Sequence, residues 1–327
     1  MNASNSFIIS SLMFYIFILP YFQSLECPLG YNSVTEDAPM YYLFLMELLF
    51  VLFALWLTWL GWGYFRRMRL WKEIQATPFP PEYEAILQKI PHYRLLPDEL
   101  KRKLHDSIRF FMATKEFRGV EMAVTDEVRV TIAFYACLVQ LERQECYEGL
   151  RTIIVYPNDV VTRRVEAAGG IYREGDFVLE GESTGGMVVI AWNEAKKEAY
   201  HPRGHNVIIH ELAHELDYED GAADGVPPLA PSHYYSWTHT MFETYKKLKN
   251  AYERGRYLEK YKLLGSYAAT SEAEFFAVVS ELFFEKPWAL KKHFPDLYNE
   301  LQTFYGLDTA TLFAPLEKER SYASLRA

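Results

Sequence analysis

The longest apolar run in the chain constrains its fold more than any other feature. Residues 40–65 form a run of 26 residues with a single charge, Glu47. As an α-helix this run spans roughly 39 Å, which exceeds the roughly 30 Å hydrocarbon core of a bilayer. We therefore expect residues 40–65 to form a transmembrane helix, and the lipid bilayer to be a partner of the chain.

The charges that flank this run indicate its orientation. The segment RRMRLWK at 66–72 is densely basic, and no Lys or Arg precedes Arg66. Because basic residues accumulate on the cytoplasmic side, the pattern predicts a protein of the cell (inner) membrane whose C-terminal body is cytoplasmic. A second apolar run at 7–22 is interrupted by Ser10, Ser11 and Pro20. It reads either as a second membrane helix or as a removed leader, and both alternatives leave the body inside.

Composition limits what the body does. Of 327 residues, 50% are hydrophobic, which is enough for a packed core, and the net charge of -9 argues against nucleic acid as a partner. The three cysteines Cys27, Cys137 and Cys146 form no close pair. A disulfide framework and a cysteine-based zinc site are therefore not expected.

The pattern along the chain predicts an α+β domain behind a Pro-rich linker at 77–81. We expect an apolar N-terminal segment and acidic loop at 1–39, the membrane helix at 40–65, a basic flank and linker at 66–81, the domain at 82–310 and a tail at 311–327. Helical periodicity appears at 96–112, 126–145, 206–218, 237–259, 272–284 and 295–305. Short β-branched or aromatic runs at 152–156, 170–172, 177–179 and 187–192 predict a small sheet, with a turn at 173–176.

One of these helices contains the segment HELAH at 210–214. Helical positions i and i+4 lie on one face, so the imidazoles of His210 and His214 can occupy two corners of a zinc tetrahedron. Glu211 then lies where it can act on a water molecule as general base. This is the HExxH pattern of metallopeptidases, and it predicts one Zn²⁺ per chain.

A zinc site of this kind needs a third protein ligand. The extended pattern that would place a histidine at position 220 and a glycine at 217 is absent, because Asp220 and Asp217 stand there. The segment at 272–284 offers carboxylates instead. Glu274 and Glu281 are seven residues apart, hence on one face, and are embedded among apolar residues. From the residues alone either is a candidate ligand, and Asp217 and Glu281 are candidates for orienting a ligand imidazole.

These motifs together resemble a known family. The segments HELAHELD at 210–217, DGVPP at 224–228, YAAT at 267–270 and EFFAVVSE at 274–281 are similar to those of the Mlc titration factor A family of zinc-dependent peptidases. That family is similar at its catalytic core to anthrax lethal factor, and the resemblance covers roughly residues 88–306. It implies a zincin-like fold with His210, His214 and Glu274 as zinc ligands. It further implies that Glu211 is the base and that Tyr267 stabilises the oxyanion.

Two functions follow as expectations. The first is a membrane-anchored zinc metallopeptidase that hydrolyses peptide or protein substrates, with the strand at 187–192 pairing with the substrate backbone. The second is a regulatory binding protein with a vestigial or structural metal site, which sequesters a partner that the sequence does not identify. The intact base and oxyanion group favour the first.

Overall fold

The computed structural model describes residues 38–143, 147, 149–157, 186–255 and 258–316. The chain divides into a unit that ends at Arg67 and a unit that begins at Met68. The domain bounds expected from the sequence remain a prediction. The expected apolar helix or leader at 7–22, the strands at 170–172 and 177–179, and the turn between them lie outside the described residues.

The first helix, α1, covers Ala38–Ala76. An 18-residue window within its segment Phe44–Ala76 has a mean hydropathy of 2.0, and in the described part of the chain this is the one helix long and apolar enough to cross a membrane. Large apolar side chains on it are exposed, among them Phe50, Trp59 and Trp62. An exposed apolar surface of this kind is typical of segments that bind a membrane or another protein.

The second unit contains the remaining elements. Its helices in chain order are α2 (Pro81–Leu87), α3 (Pro91–Leu95), α4 (Asp98–Thr114), α5 (Asp126–Val139), α6 (Trp192–Tyr200), α7 (Val207–Asp217), α8 (Pro231–Glu253), α9 (Tyr261–Leu264), α10 (Glu272–Glu285), α11 (Pro287–His293), α12 (Pro295–Tyr305) and α13 (Thr309–Leu312). Its strands are β1 (Glu116–Gly119), β2 (Thr152–Tyr156) and β3 (Met187–Ala191).

The described strands form a parallel sheet in the order β1–β2–β3. Thr152 aligns with Glu116 on one side and with Met187 on the other. Parallel neighbours require a crossover between them, and α5 lies between β1 and β2 in the chain. This mostly helical unit with a small sheet agrees with the expected α+β class.

The core is organised around two almost fully buried helices. Every residue of α5 from Val130 to Val139 is buried, and so is every residue of α10 from Phe275 to Glu285. Helix α7 packs against α10, against α5 and against β3. The central position of α7 holds its polar residues against elements that are distant in sequence.

Several boundaries differ from those expected. The helix expected at 126–145 ends at Val139, where Gln140 leaves helical geometry and its side chain accepts a hydrogen bond from the N–H of Tyr147. The strand expected at 187–192 ends at Ala191, because Trp192 begins α6. The helix expected at 237–259 is Pro231–Glu253. Its first turns are exposed and lack the apolar spacing on which the expectation depended, whereas proline is favourable at a first helical position.

Candidate metal centre

Helix α7 positions two imidazoles on one face. The side chain of Asn206 accepts a hydrogen bond from the N–H of Ile209 at 3.2 Å, which caps the helix and fixes its start. One turn apart on the helix, the Nε2 atoms of His210 and His214 lie 3.2 Å from each other. The opposite face is anchored by buried apolar side chains, which include those of Ile209 and Leu216. The expected i, i+4 pair is therefore formed, with both Nε2 atoms directed to one point.

Helix α10 brings a carboxylate to the same point. The hydroxyl of Ser271 caps α10 by accepting from the N–H of Glu274 at 3.2 Å. The Oε2 atom of Glu274 lies 3.1 Å from Nε2 of His210 and 3.4 Å from Nε2 of His214. The ligand atoms of these three residues all lie within 4.8 Å of one another, a spacing that could hold a metal ion.

Glu281 contacts the far side of the first imidazole. Its Oε1 lies 2.7 Å from Nδ1 of His210, and its Oε2 accepts from the N–H of Asn206 at 2.8 Å. A carboxylate so close to Nδ1 holds a proton on that nitrogen, so that Nε2, which faces His214 and Glu274, is the nitrogen that can give up its proton and bind a metal. This is the tautomer that a ligand imidazole needs. Two nitrogens and one carboxylate oxygen then converge, and this donor set suits zinc.

The electrostatics of the cluster favour a positive charge at its centre. Burial alone would lower the pKa of His210, but hydrogen bonds to Glu274 and Glu281 outweigh it and raise the pKa to about 10. Burial alone would raise the pKa of Glu274, yet hydrogen bonds with the two imidazoles lower it to about 2. The ionised carboxylate of Glu274 and the protonated imidazole of His210 therefore stabilise each other.

Two further residues named from the sequence lie beside this cluster. Glu211 follows His210 on α7 and is half-buried. Tyr267 opens the 3-10 helix Tyr267–Ala269 before α10. The centroid of its ring lies 5.9 Å from that of His210. Both residues therefore belong to elements that border the cluster.

The sequence suggests that Asp217 orients a ligand imidazole. The hydrogen bond that its side chain makes is to the loop after α7. Asp217 is fully buried at the end of α7, and its Oδ2 accepts from the N–H of Gly225 at 2.9 Å. Burial raises the pKa of Asp217 to about 6. Through this hydrogen bond Asp217 holds the loop that leaves α7.

A buried network behind Glu281 was not predicted from the sequence. Glu285, one turn further along α10, accepts from the N–H of Gly204 at 3.1 Å and from Nδ2 of Asn206 at 3.3 Å. Nε2 of His92 lies 3.6 Å from Oε1 of Glu285, and both side chains are fully buried. The network therefore fixes the segment that caps α7. His92 carried no signal in the sequence, because Glu285 lies 193 residues further along the chain.

A further carboxylate binds the backbone at the start of α7. Oε2 of Glu198, on α6, accepts from the N–H of Val207 at 2.8 Å. Burial raises the pKa of Glu198 to about 7.

The side chains of Met187 and Val189 on β3, the strand next to α7, are exposed.

Similarity to other proteins covers most of this unit. Residues 65–306 match the model of a family described as glucose-regulated metallo-peptidase M90. An uncharacterized protein of Synechocystis sp. is 37% identical over 248 residues, which is 73% of this chain and 89% of that protein. Mlc titration factor A of Cronobacter sakazakii is 31% identical over 244 residues, 73% of this chain and 91% of that protein. Mlc titration factor A of Serratia proteamaculans is 31% identical over 204 residues, 61% and 77% of the two chains.

Proposed function

The chain belongs to the glucose-regulated metallopeptidase M90 family, and from that membership we propose that it is a zinc-dependent peptidase held at a membrane by α1. The resemblance to Mlc titration factor A that the sequence motifs indicated is confirmed by the relatives of that name. One observation carries the proposal: Nε2 of His210, Nε2 of His214 and Oε2 of Glu274 converge, while Glu281 fixes the tautomer of His210.

We assign the metal ligands to His210, His214 and Glu274. Three protein ligands leave one coordination position open, which is the arrangement of catalytic rather than structural zinc sites. When bound, zinc supplies Lewis acidity toward the scissile carbonyl and toward water. Glu281 keeps the proton of His210 on Nδ1, so that Nε2 remains a donor of electrons.

The remaining chemistry belongs to Glu211 and Tyr267. Glu211 takes a proton from the attacking water and passes it to the leaving nitrogen, as a general base and then a general acid. The hydroxyl of Tyr267 donates a hydrogen bond to the carbonyl oxygen as negative charge develops on it. An interaction that strengthens in the transition state lowers the barrier rather than merely binding the substrate.

The substrate backbone has a candidate docking edge in β3. This strand packs against α7 and is the last strand of the described sheet on that side. An extended peptide can add to such an edge through main-chain hydrogen bonds. We assign this role to β3 and expect the exposed Met187 and Val189 to contact the peptide's side chains.

We place α1 in the cell membrane and the peptidase domain on its cytoplasmic side. The support is the apolar exposed surface of α1 and the basic segment 66–72 that follows residues 40–65. The domain extends from residue 82 to residue 310 in this proposal, with a tail at 311–327.

A second candidate function is the binding of a regulatory protein without turnover. The observation that favours it is the name of the relatives, Mlc titration factor A, which describes titration of a protein called Mlc. The chain would then sequester a protein partner, and the metal site would serve structure alone.

The deciding experiment uses the full-length chain in detergent as wild type, Glu211→Gln and His214→Ala. We expect one zinc per chain in wild type and in Glu211→Gln, and a loss of zinc in His214→Ala, measured by elemental analysis. Turnover of a peptide panel should fall on the order of 10²- to 10⁴-fold in Glu211→Gln. Absence of zinc from wild type, or equal turnover in Glu211→Gln, would reject the peptidase mechanism and favour the binding protein.

A further inference from the structure

A cavity of about 400 Å³ lies beside the candidate metal centre. It is bounded by the loop that follows α7, by one side of α8 and by the first turn of α10. The residues named for the metal centre are not among those that line it. The cavity is therefore separate from the metal ligands. The chemistry of its lining indicates which part of a ligand it binds.

The interior of the cavity is apolar and aromatic. Met241, Tyr245 and Phe275 are buried and form part of its lining. Tyr235 and Phe242 also line it, with 80% and 51% of their surface exposed. Such a lining binds a long apolar side chain, and its aromatic faces also attract a cation.

The lining contains two acidic side chains, those of Asp224 and Glu272, and one imidazole, that of His239. Asp224 lies in the loop after α7, and Glu272 is the first residue of α10. Both side chains are exposed. Lys249, one turn beyond Tyr245, donates to the Tyr245 hydroxyl at 3.4 Å and is not part of the lining. The cavity thus combines an apolar interior with two carboxylates accessible from solvent.

The cavity is tied to the metal centre through two backbone connections. Gly225, in its lining, donates its N–H to Oδ2 of Asp217, at the end of the helix that carries His210 and His214. Glu272 precedes the candidate ligand Glu274 by two residues on α10. Gly225 has a φ of +79°, and a Cβ there would lie 2.7 Å from the carbonyl oxygen of Glu272. The loop and α10 therefore meet without room for a side chain.

We propose that this cavity is a specificity site for a lysine or arginine side chain of the peptide substrate. The proposal rests on the proposed peptidase function and adds a substrate class to it. The aliphatic stem packs on Met241, Phe242 and Phe275, while the cationic end approaches Asp224 and Glu272. Long cationic side chains commonly divide in this way between an apolar surface and a charged one.

The first arm of the test measures cleavage. Full-length, zinc-loaded protein in detergent is incubated with a library of peptides, and the cut bonds are identified by mass spectrometry. We expect Lys and Arg to be enriched at one fixed position relative to the cut. In the double variant Asp224→Asn, Glu272→Gln the enrichment should fall about tenfold, a factor that corresponds to about 1.4 kcal/mol. Asp296→Asn removes an exposed acid outside the cavity and should leave the enrichment unchanged.

The second arm measures binding without turnover, in the Glu211→Gln background. Matched peptides that differ by Lys against norleucine are titrated calorimetrically, each with a free and with an acetylated N-terminus. We expect the Lys peptide to bind about tenfold more tightly than the norleucine peptide, and the double variant to remove that difference.

The arms separate the two hypotheses. If wild type cuts no peptide but the Lys preference in binding depends on Asp224 and Glu272, the peptidase function fails and the cavity assignment stands. Cleavage or binding without a basic preference, or a preference unaffected by the double variant, overturns the cavity assignment. A preference that follows the free N-terminus rather than the Lys side chain also overturns it, since the carboxylates would then bind the α-amine.

Discussion

At the scale of single residues, Glu281 connects the metal centre to the core. It contacts Nδ1 of His210 through one oxygen and the N–H of Asn206 through the other. Substitution Glu281→Gln keeps an acceptor of similar shape but removes the charge that holds the proton on Nδ1. We expect zinc affinity to fall roughly 10- to 100-fold, the usual effect of losing such a partner. Competition with a chromophoric chelator measures this.

The matched control for that experiment is Glu116→Gln. Glu116 is an exposed carboxylate in β1 that pairs with Arg118. Loss of the Glu116 charge should leave zinc affinity as in wild type, because this carboxylate pairs with Arg118 rather than with either imidazole. Equal affinities in wild type and Glu281→Gln would show that the hydrogen bond to Nδ1 does not orient the ligand.

Glu198 gives a prediction for pH dependence. Burial raises its pKa from 4.5 to about 7, so between these values the folded chain binds more protons at this site than the unfolded chain. The contribution of Glu198 to stability is therefore present below pH 4.5 and is lost as pH rises through 7. Compared with Glu198→Gln, wild type should lose a few degrees of melting temperature between pH 5 and pH 8. Parallel melting curves of the two proteins over this range would contradict the prediction.

Some residues of the candidate site follow from the sequence alone, whereas the roles of others depend on the fold. The pair His210 and His214 follows from helical periodicity, which is local and needs no tertiary information. From the sequence alone Glu274 and Glu281 are alternative ligands, because both lie on one face of α10. The fold separates them: Glu274 lies on the Nε2 side of His210 and Glu281 on the Nδ1 side.

At the scale of elements, the cap of α7 matters more than an ordinary cap. Asn206 caps the N-terminus of the helix and also donates to the buried Glu285. Asn206→Ala removes both bonds, so we expect a loss of about 2 kcal/mol in unfolding free energy and a weaker zinc affinity. The control is Thr125→Ala, because Thr125 caps α5 through the N–H of Val128. That change should cost about 1 kcal/mol and leave zinc affinity unaltered. Denaturant titration and chelator competition distinguish the two variants.

Elements with strong local signals were predicted well. The bounds of β2 and α12 match those expected, since the β-branched run of one is bounded by turns and the other begins at Pro295 and ends before Gly306. The short strand β1 was missed, because EFRG has no alternating apolar pattern and becomes a strand through pairing with β2. Pairing of that kind depends on residues far along the chain.

At the scale of the whole molecule, the segment expected to be a linker is held by the second unit. Arg109 donates to the carbonyl oxygens of Thr77 and Pro78, at 2.8 and 3.2 Å, and the ring of Phe79 stacks on His105 at 3.9 Å. Just before it, Trp71 contacts Phe110 edge-on with a centroid distance of 5.2 Å. Proline content indicated a break in regular structure here and carried no information about these contacts.

A comparison of two fragments tests the role of this segment. A fragment of residues 68–327 should melt roughly 5 to 10 °C higher than one of residues 82–327, because the shorter one loses the buried area of Trp71, Ile74 and Phe79. Arg109→Gln in the longer fragment should reproduce part of the loss. Equal melting temperatures would mean that residues 68–81 do not contribute to the fold.

Helix α10 carries four functions on fourteen residues. Glu272 borders the cavity, Glu274 faces the two imidazoles, Glu281 holds the tautomer of His210, and Glu285 holds the segment that caps α7. If α10 detached from its neighbours, all four contacts would be lost together, because the four side chains belong to one helix. Amide hydrogen exchange should therefore show α7 and α10 opening as one cooperative unit, and zinc should slow the exchange of both helices by the same factor.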